Sequence, residues 1–313
     1  MPQNQDDVLA HLVHAIVRRF AAPTDELPSV QCASKAALFH VLLEARKQLP
    51  SPGSRRLTCE SLLEQVVRTG LVRPLPIQPR LSGRRYELFA VGLSVDLDGI
   101  SPAELLMAMV PSGVICYFAA IQVHGLSTQI PPFHHIAELI PKPPSEGRAS
   151  GKQAETGRPT RRRDPLGTKA FNYRDQDYYI TRRVESRVPA SQQVVQSDRA
   201  RIRVTSIEQT LVDCLARPKP CGGPPTVFEA WNEGARLLDE EALAGLLTRL
   251  GDTTLTRRVG YMIENGGNRI TASRLTNLLD EARRQPLRFP SPPSLLPGID
   301  YEKVSRRWQL RVP

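Results

Sequence analysis

The chain has 313 residues, of which 40% are hydrophobic and only 5% aromatic. This composition suits about two packed domains and argues against an aromatic platform that stacks bases or sugars. With 42 basic against 32 acidic side chains the net charge is +10, so a polyanion, nucleic acid first, is the expected partner. The five cysteines show no C-x-x-C spacing, which argues against a zinc ribbon or a disulfide-stapled secreted fold.

Residues 1–33 predict a helix followed by an extended lead-in. They do not begin with a basic segment followed by an apolar block, so no secretory signal is expected and the protein is interpreted as cytoplasmic. Apolar side chains between residues 8 and 20 recur at helical spacing. Pro23 and Pro28 then end the helix.

Residues 34–99 predict two further helices and a β-hairpin. Ser34 is placed to cap a helix that stops at Pro50, and Thr58 is placed to cap one that stops at Gly70. Two strand-like runs follow at 71–78 and 84–91, and the prolines of the first run allow only an edge strand. Together with the first helix, three helices and a hairpin are the element order of a winged helix.

A second unit is predicted from residue 100 to residue 290. A capping box at 101–104 begins two helices, 101–110 and 112–124. The charge-free stretch 105–123 would just reach across a bilayer, but Pro111 and Gly113 interrupt it, so no membrane partner is expected. Strands are predicted at 178–184, 192–195 and 201–205, capping boxes at 205–208 and 226–229, and helices near 227–238, 240–250, 253–264 and 271–284.

The predicted fold class is therefore α+β. An N-terminal winged helix-turn-helix domain (34–99) precedes a larger mixed α/β domain (100–290), with a Pro-rich tail at 291–313. Within the second domain, residues 141–168 are polar and rich in Pro and Gly, so a flexible basic loop is expected there.

Charge is concentrated in the centre of the chain. Residues 145–203 carry seven more basic than acidic side chains, which is most of the excess. The run Arg161, Arg162 and Arg163 lies in the expected loop. These arginines are interpreted as accessory phosphate contacts or as a solvated run.

Residue patterns for catalysis or metal binding are weak. Asp96 and Asp98 are interpreted as part of a solvated loop, and the neighbouring His134 and His135 as surface residues, since neighbouring strand positions cannot face one ion. Asp213 alone does not make a general base, and no glycine-rich phosphate loop occurs. We therefore expect no enzyme, no catalytic residue, no metal and no cofactor.

The third helix carries the pattern expected of a DNA-recognition helix. Ser61, Gln65 and Arg68 follow each other at i, i+4 and i+7 on the face opposite the apolar stripe, and Gln and Arg pair with adenine and guanine edges. Glu60 and Glu64 favour the alternative, a solvated amphipathic helix. Phosphate contacts are expected from basic residues beside the helix and on the hairpin, namely Lys47, Arg55, Arg56, Arg73, Arg84 and Arg85.

Four segments resemble a known family. They are LLEQVVRTGLVRPLP (62–76), VICYFAAIQVHGLSTQ (114–129), RVTSIEQTLVDCLARPKPCGG (203–223) and RRVGYMIENGG (257–267). In this order they resemble the AbiEi-type antitoxins of the AbiE abortive-infection systems, which are transcriptional repressors of type IV toxin–antitoxin pairs. The resemblance implies a winged helix that binds inverted repeats in its own promoter. It also implies a C-terminal domain that opposes a nucleotidyltransferase-like toxin, without requiring a stable complex.

Two alternatives belong to other classes of function. One is a nuclease or nucleotide-processing enzyme whose acidic residues come together only in three dimensions. The other is a protein-interaction adaptor with a vestigial winged helix. A cluster of carboxylates at metal-binding distance favours the first, and failure to bind DNA favours the second.

Overall fold

The computed structural model describes residues 3–21, 31–49, 52–79, 85–93, 95–141, 166–196, 200–267, 270–287 and 290–313. The predicted basic loop lies almost entirely outside these ranges. In chain order, the N-terminal unit consists of α1 (Gln3–Ile16), β1 (Cys32–Ser34), α2 (Lys35–Lys47), α3 (Cys59–Arg68), β2 (Val72–Pro74), β3 (Gln78–Pro79) and β4 (Leu88–Val91). Strands β1, β4 and β2 form a three-stranded antiparallel sheet in that order.

The predicted helix starts of this unit are confirmed. The hydroxyl of Ser34 accepts from the Ala37 N–H at 3.3 Å, and that of Thr58 accepts from the Ser61 N–H at 3.1 Å. Each hydroxyl satisfies a backbone donor that the first helical turn leaves unpaired. Gly70, with φ +77°, follows α3 in the left-handed conformation that a residue without Cβ adopts most readily.

Helix α1 belongs to the same packed unit as α2 and α3. Its apolar stripe includes Leu12 and Ile16, both fully buried. They pack in one core with Leu42 of α2 and Leu62 of α3. The buried face of α1 thus packs against helices of the segment 34–99, the predicted winged-helix domain.

A seven-stranded mixed sheet and a group of helices form the second unit. Its elements are α4 (Pro102–Met109), β5 (Val114–Ile115), α5 (Phe118–Val123), β6 (Phe133–Ile140), β7 (Thr168–Tyr173), β8 (Gln176–Val184), β9 (Ser191–Gln196), β10 (Ala200–Thr205), α6 (Ile207–Ala216), α7 (Pro224–Gly234), α8 (Glu240–Leu250), α9 (Thr253–Asn265), α10 (Ser273–Arg284), β11 (Lys303–Ser305) and β12 (Leu310–Val312). The sheet order is β3-β7-β8-β6-β5-β10-β9. Pairs β6–β8 and β5–β10 are parallel and the other pairs antiparallel. The α+β fold class is confirmed.

Two predicted elements of this unit differ in the structure. The helix expected at 112–124 begins only at Phe118, because residues 114–115 form β5 in the interior of the sheet. The capping box expected at 205–208 is displaced by one residue: Thr205 ends β10, and Ser206 caps α6 by accepting from the Gln209 N–H at 3.3 Å. Thr205, which the local spacing predicts as the cap, is thus part of the sheet, where it pairs with Ser191.

The capping box expected at 226–229 is also wrong. Helix α7 begins three residues earlier, after Gly223. Glu229 instead holds the loop after α5, accepting from the Thr128 N–H at 2.8 Å and from the hydroxyl of Ser127 at 2.7 Å. These bonds, that from the Thr128 N–H first, hold the pKa of Glu229 below its usual value.

The predicted C-terminal tail is part of the core of the second unit. Leu295, Leu296, Trp308 and Leu310 are buried among the helices α6 to α10, and β11 pairs with β12. Gly260 of α9 lies against the indole of Trp308, so an added methyl group would overlap the ring.

The two units share a third core, which lies between the small sheet and the large one. Cys32, Leu88 and Ala90 of the small sheet pack with Leu106 of α4 and Ile115 of β5. The predicted boundary at 99/100 therefore crosses a continuous apolar interior. Within the described ranges, no helix combines the length and apolar character needed to cross a bilayer.

Candidate nucleic-acid interface

Helix α3 presents one polar face to solvent. Leu62, Leu63 and Val66 are buried against α1 and α2. On the predicted ridge, Arg68 is exposed, whereas Ser61 and Gln65 are half-buried. The ridge therefore offers one exposed cation and two shorter, half-buried polar groups beside it.

Two carboxylates accompany this ridge. Glu60 and Glu64 are both exposed, and with Arg68 they follow each other at i, i+4 and i+8. Carboxylates repel phosphate, so phosphate contacts have to come from the flanks of α3 rather than its centre. A carboxylate in a groove can instead accept from a cytosine amine.

Two arginines brace the linker between α2 and α3. Arg46 donates to the carbonyl of Leu57 at 3.0 Å, and Arg55 donates from Nε to the carbonyl of Leu49 at 2.7 Å. The two bonds tie both ends of the linker to each other. Arg55 was predicted as a phosphate contact, and its Nε is engaged in this brace.

The remaining basic side chains near α3 differ in whether they form an ion pair. Lys47 pairs with Glu44 at 2.7 Å, and this bond holds the pKa of Glu44 below its usual value. Arg56 is exposed and, like Arg68, has no carboxylate at ion-pair distance among the described residues. Arg56 and Arg68 are therefore available to an anionic ligand.

The described basic residues of the predicted hairpin differ in their exposure. Arg73 is half-buried, and its guanidinium donates to the carbonyl of Val95 in the segment that follows β4. Arg85 is exposed just before β4. Arg84 and the run Arg161, Arg162 and Arg163 lie outside the described residues.

Comparisons with known proteins address the fold of the whole chain. No protein-family model and no curated protein matches the sequence. The chain aligns with the crystal structure of the RV2827C protein from Mycobacterium tuberculosis with a TM-score of 0.52 and 16% identity, covering 100% of this chain and 92% of that chain. The two chains share a fold along nearly their whole lengths. At this identity the likeness concerns the fold alone.

The histidines of β6 are buried, so their interpretation as surface residues is wrong. His134 and His135 are 5% and 0% exposed because β6 lies between β5 and β8. The His134 ring shares a hydrogen bond with the Gln176 amide at 3.0 Å, and burial lowers its pKa. The His135 ring stacks on Tyr179 with centroids 5.2 Å apart. Their alternating environments follow from strand geometry.

A buried polar cluster escaped the sequence-based predictions. Arg183 of β8 and Asp213 of α6 form a two-point ion pair at 2.5 and 2.7 Å, and Gln209 donates to the same carboxylate at 2.9 Å. Tyr117 lies under the guanidinium at 5.2 Å, with a left-handed φ of +59° that is costly for a residue with a Cβ. Arg217 donates to the Tyr117 hydroxyl at 3.3 Å.

This cluster is a closed structural centre in which both carboxylate oxygens are occupied. Thirty residues separate Arg183 from Asp213, and no spacing rule connects positions so far apart. Across the described parts of the chain, no group of three His, Cys, Asp or Glu side chains is arranged to hold a metal ion.

Proposed function

We propose that residues 3–93 form a winged helix that binds duplex DNA. The observation that carries the proposal is the element order α1-β1-α2-α3-β2-β3-β4 combined with the sheet order β1-β4-β2, in which β2 and β4 pair antiparallel and β3 lies in the connection between them. This arrangement gives three packed helices followed by a hairpin beside the third. In helix-turn-helix proteins the helix after the linker lies in the major groove, and α3 occupies that place in the order.

The charge distribution supports the same proposal. Arg56 precedes α3 by three residues, Arg68 ends it and Arg85 lies shortly before β4, and all three are exposed. In the proposed complex these cations neutralise phosphates, while Gln65 and Arg68 reach base edges. The net charge of +10 supplies long-range attraction to the duplex.

The experiment measures binding of the full chain to two duplexes. One is taken from immediately upstream of its own coding sequence, and the other is a scrambled duplex of equal length. The variant Gln65→Ala/Arg68→Ala is expected to lose ~1–3 kcal/mol of binding free energy per specific contact on the first duplex and little on the scrambled one.

The matched control is Arg236→Ala. Arg236 is an exposed arginine just beyond α7 in the second unit, and its removal is expected to leave both affinities unchanged. Wild-type affinity of the double variant for the upstream duplex would contradict the assignment of α3. If the wild type binds neither duplex, the adaptor interpretation replaces this proposal.

We further propose, from the family resemblance, that the DNA site is an inverted-repeat operator and that the second unit opposes a nucleotidyltransferase-like toxin. Because the two units share a core, the test uses full-length variants. The neighbouring toxin gene is expressed from an unrelated promoter together with Gln65→Ala/Arg68→Ala. Growth rescue equal to wild type is expected, and loss of rescue would assign protection to DNA binding instead.

A further inference from the structure

The first arm of the proposed wing, residues 72–79, takes part in two sheets, because its β2 pairs with β4 in the small sheet and its β3 belongs to the large one. In the first arm, β3 pairs antiparallel with β7, and Gln78 stands opposite Asn172. In the second arm, β4 pairs with β1 and β2 of the small sheet. Between β2 and β3, the Ile77 N–H donates to the Leu75 carbonyl at 2.8 Å, in a tight turn that takes the chain from one sheet to the other.

Aromatic packing holds the second arm against the large sheet as well. Tyr86, two residues before β4, has its ring centroid 6.3 Å from that of Phe171 in β7. Phe171 is 1% exposed and stacks on Tyr178 of β8 with centroids 4.7 Å apart. Because buried stacked rings have little freedom, Tyr86 rests on a fixed support.

Arg85 is adjacent to this support. It is exposed and directly precedes Tyr86. On the other side, the Lys35 N–H donates to the Glu87 carbonyl at 2.9 Å, and the two side chains form an ion pair at 2.7 Å. Both residues that follow Arg85 are therefore anchored, Tyr86 to the large sheet and Glu87 to the first residue of α2.

We infer that the seven-stranded sheet orients the wing on DNA, with Tyr86 and Phe171 as positioning residues for Arg85. The inference rests on the proposed function. A two-stranded hairpin is marginally stable by itself, and a loop that is already ordered loses less entropy when it binds. The second unit thus supports the DNA-binding surface. Separating the wing from it is expected to decrease the affinity for DNA.

The test compares Tyr86→Ala with Tyr86→Phe in the full chain, using the upstream duplex over a range of salt concentrations. Tyr86→Ala is expected to bind about tenfold more weakly, since the arm has to be ordered on binding. Its slope of log K against log salt is expected to fall by about 0.9 for each phosphate that the arm no longer neutralises. Tyr86→Phe keeps the ring and is expected to bind as the wild type does.

The matched control is Tyr301→Ala, which removes a part-buried ring from the other core of the second unit. It tests whether lower stability alone reduces affinity, and its slope is expected to be unchanged. If Tyr86→Ala fails to fold, Tyr86→Leu is measured in its place, because it keeps apolar burial and removes the aromatic ring.

The outcomes separate the two proposals. Wild-type affinity and slope in a folded Tyr86→Ala or Tyr86→Leu would overturn the positioning role while leaving DNA binding intact. A lower slope in Tyr301→Ala as well would also overturn it, since a general decrease in stability would then suffice. Failure of the wild type to bind either duplex would overturn the proposed function and this inference together.

Discussion

Replacing Asp213 by alanine is expected to destabilise the protein strongly. The carboxylate accepts from Arg183 at 2.5 and 2.7 Å and from Gln209 at 2.9 Å. The side chains of Arg183 and Asp213 are 9% and 4% exposed, so water cannot replace the missing partner. A buried guanidinium without its counter-charge costs about 3–5 kcal/mol of unfolding free energy.

Two further variants test whether the loss of stability comes from the burial of the ion pair or from the loss of any ion pair. Glu44→Ala breaks the Lys47–Glu44 pair, which is equally short at 2.7 Å but has side chains 63% and 53% exposed. Its effect is expected to be close to zero, because solvent already screens this pair. The double variant Arg183→Met/Asp213→Leu is expected to recover most of the stability, since two apolar side chains need no counter-charge.

Urea denaturation measures these differences. Tryptophan fluorescence reports on Trp231 and Trp308 of this core, and the Trp231 indole donates at 3.0 Å to the carbonyl of Leu211 in α6, the helix that carries Asp213. Circular dichroism follows the whole chain. A decrease below about 1 kcal/mol in Asp213→Ala, or a double variant no more stable than the single one, would refute the reasoning.

Three other predictions concern packing, pH and salt. Gly260→Ala is expected to lower the unfolding free energy by about 1–3 kcal/mol through overlap with the adjacent indole, whereas Gly245→Ala, with nothing within 4 Å, is expected to raise it by up to about 1 kcal/mol in denaturation experiments. The pKa of Glu229 is lowered on folding, so its ionised carboxylate stabilises the fold above about pH 4.3, and this stabilisation is lost as the pH falls below that value. The Tm difference between wild type and Glu229→Gln is therefore expected to shrink from about pH 6 to pH 3. A constant difference would contradict this. Arg56→Ala and Arg85→Ala are each expected to reduce the salt slope of DNA binding by about 0.9, and unchanged slopes would exclude both as phosphate contacts.

The sequence by itself determined the helices of this protein and several of their ends. Thr58, placed four residues before the apolar stripe that begins at Leu62, predicted the cap of α3, and Gly70 predicted its stop. The helices α8, α9 and α10 also lie close to their predicted ranges. These features are readable because a helix bonds each residue to one four positions away, so the information is local.

Only the tertiary structure decided which sheet each short strand joins. Residues 114–115 look helical in a charge-free stretch, yet β10, some ninety residues later, makes them a central strand. The same holds for the burial of His135 and for β3, which leaves the small sheet to pair with β7. A strand's partners are set by distant segments and by the core they jointly bury. Residue spacing along the chain therefore does not predict these partners. The contacts of the proposed wing with the large sheet, β3 with β7 and Tyr86 with Phe171, are likewise a property of the folded chain alone.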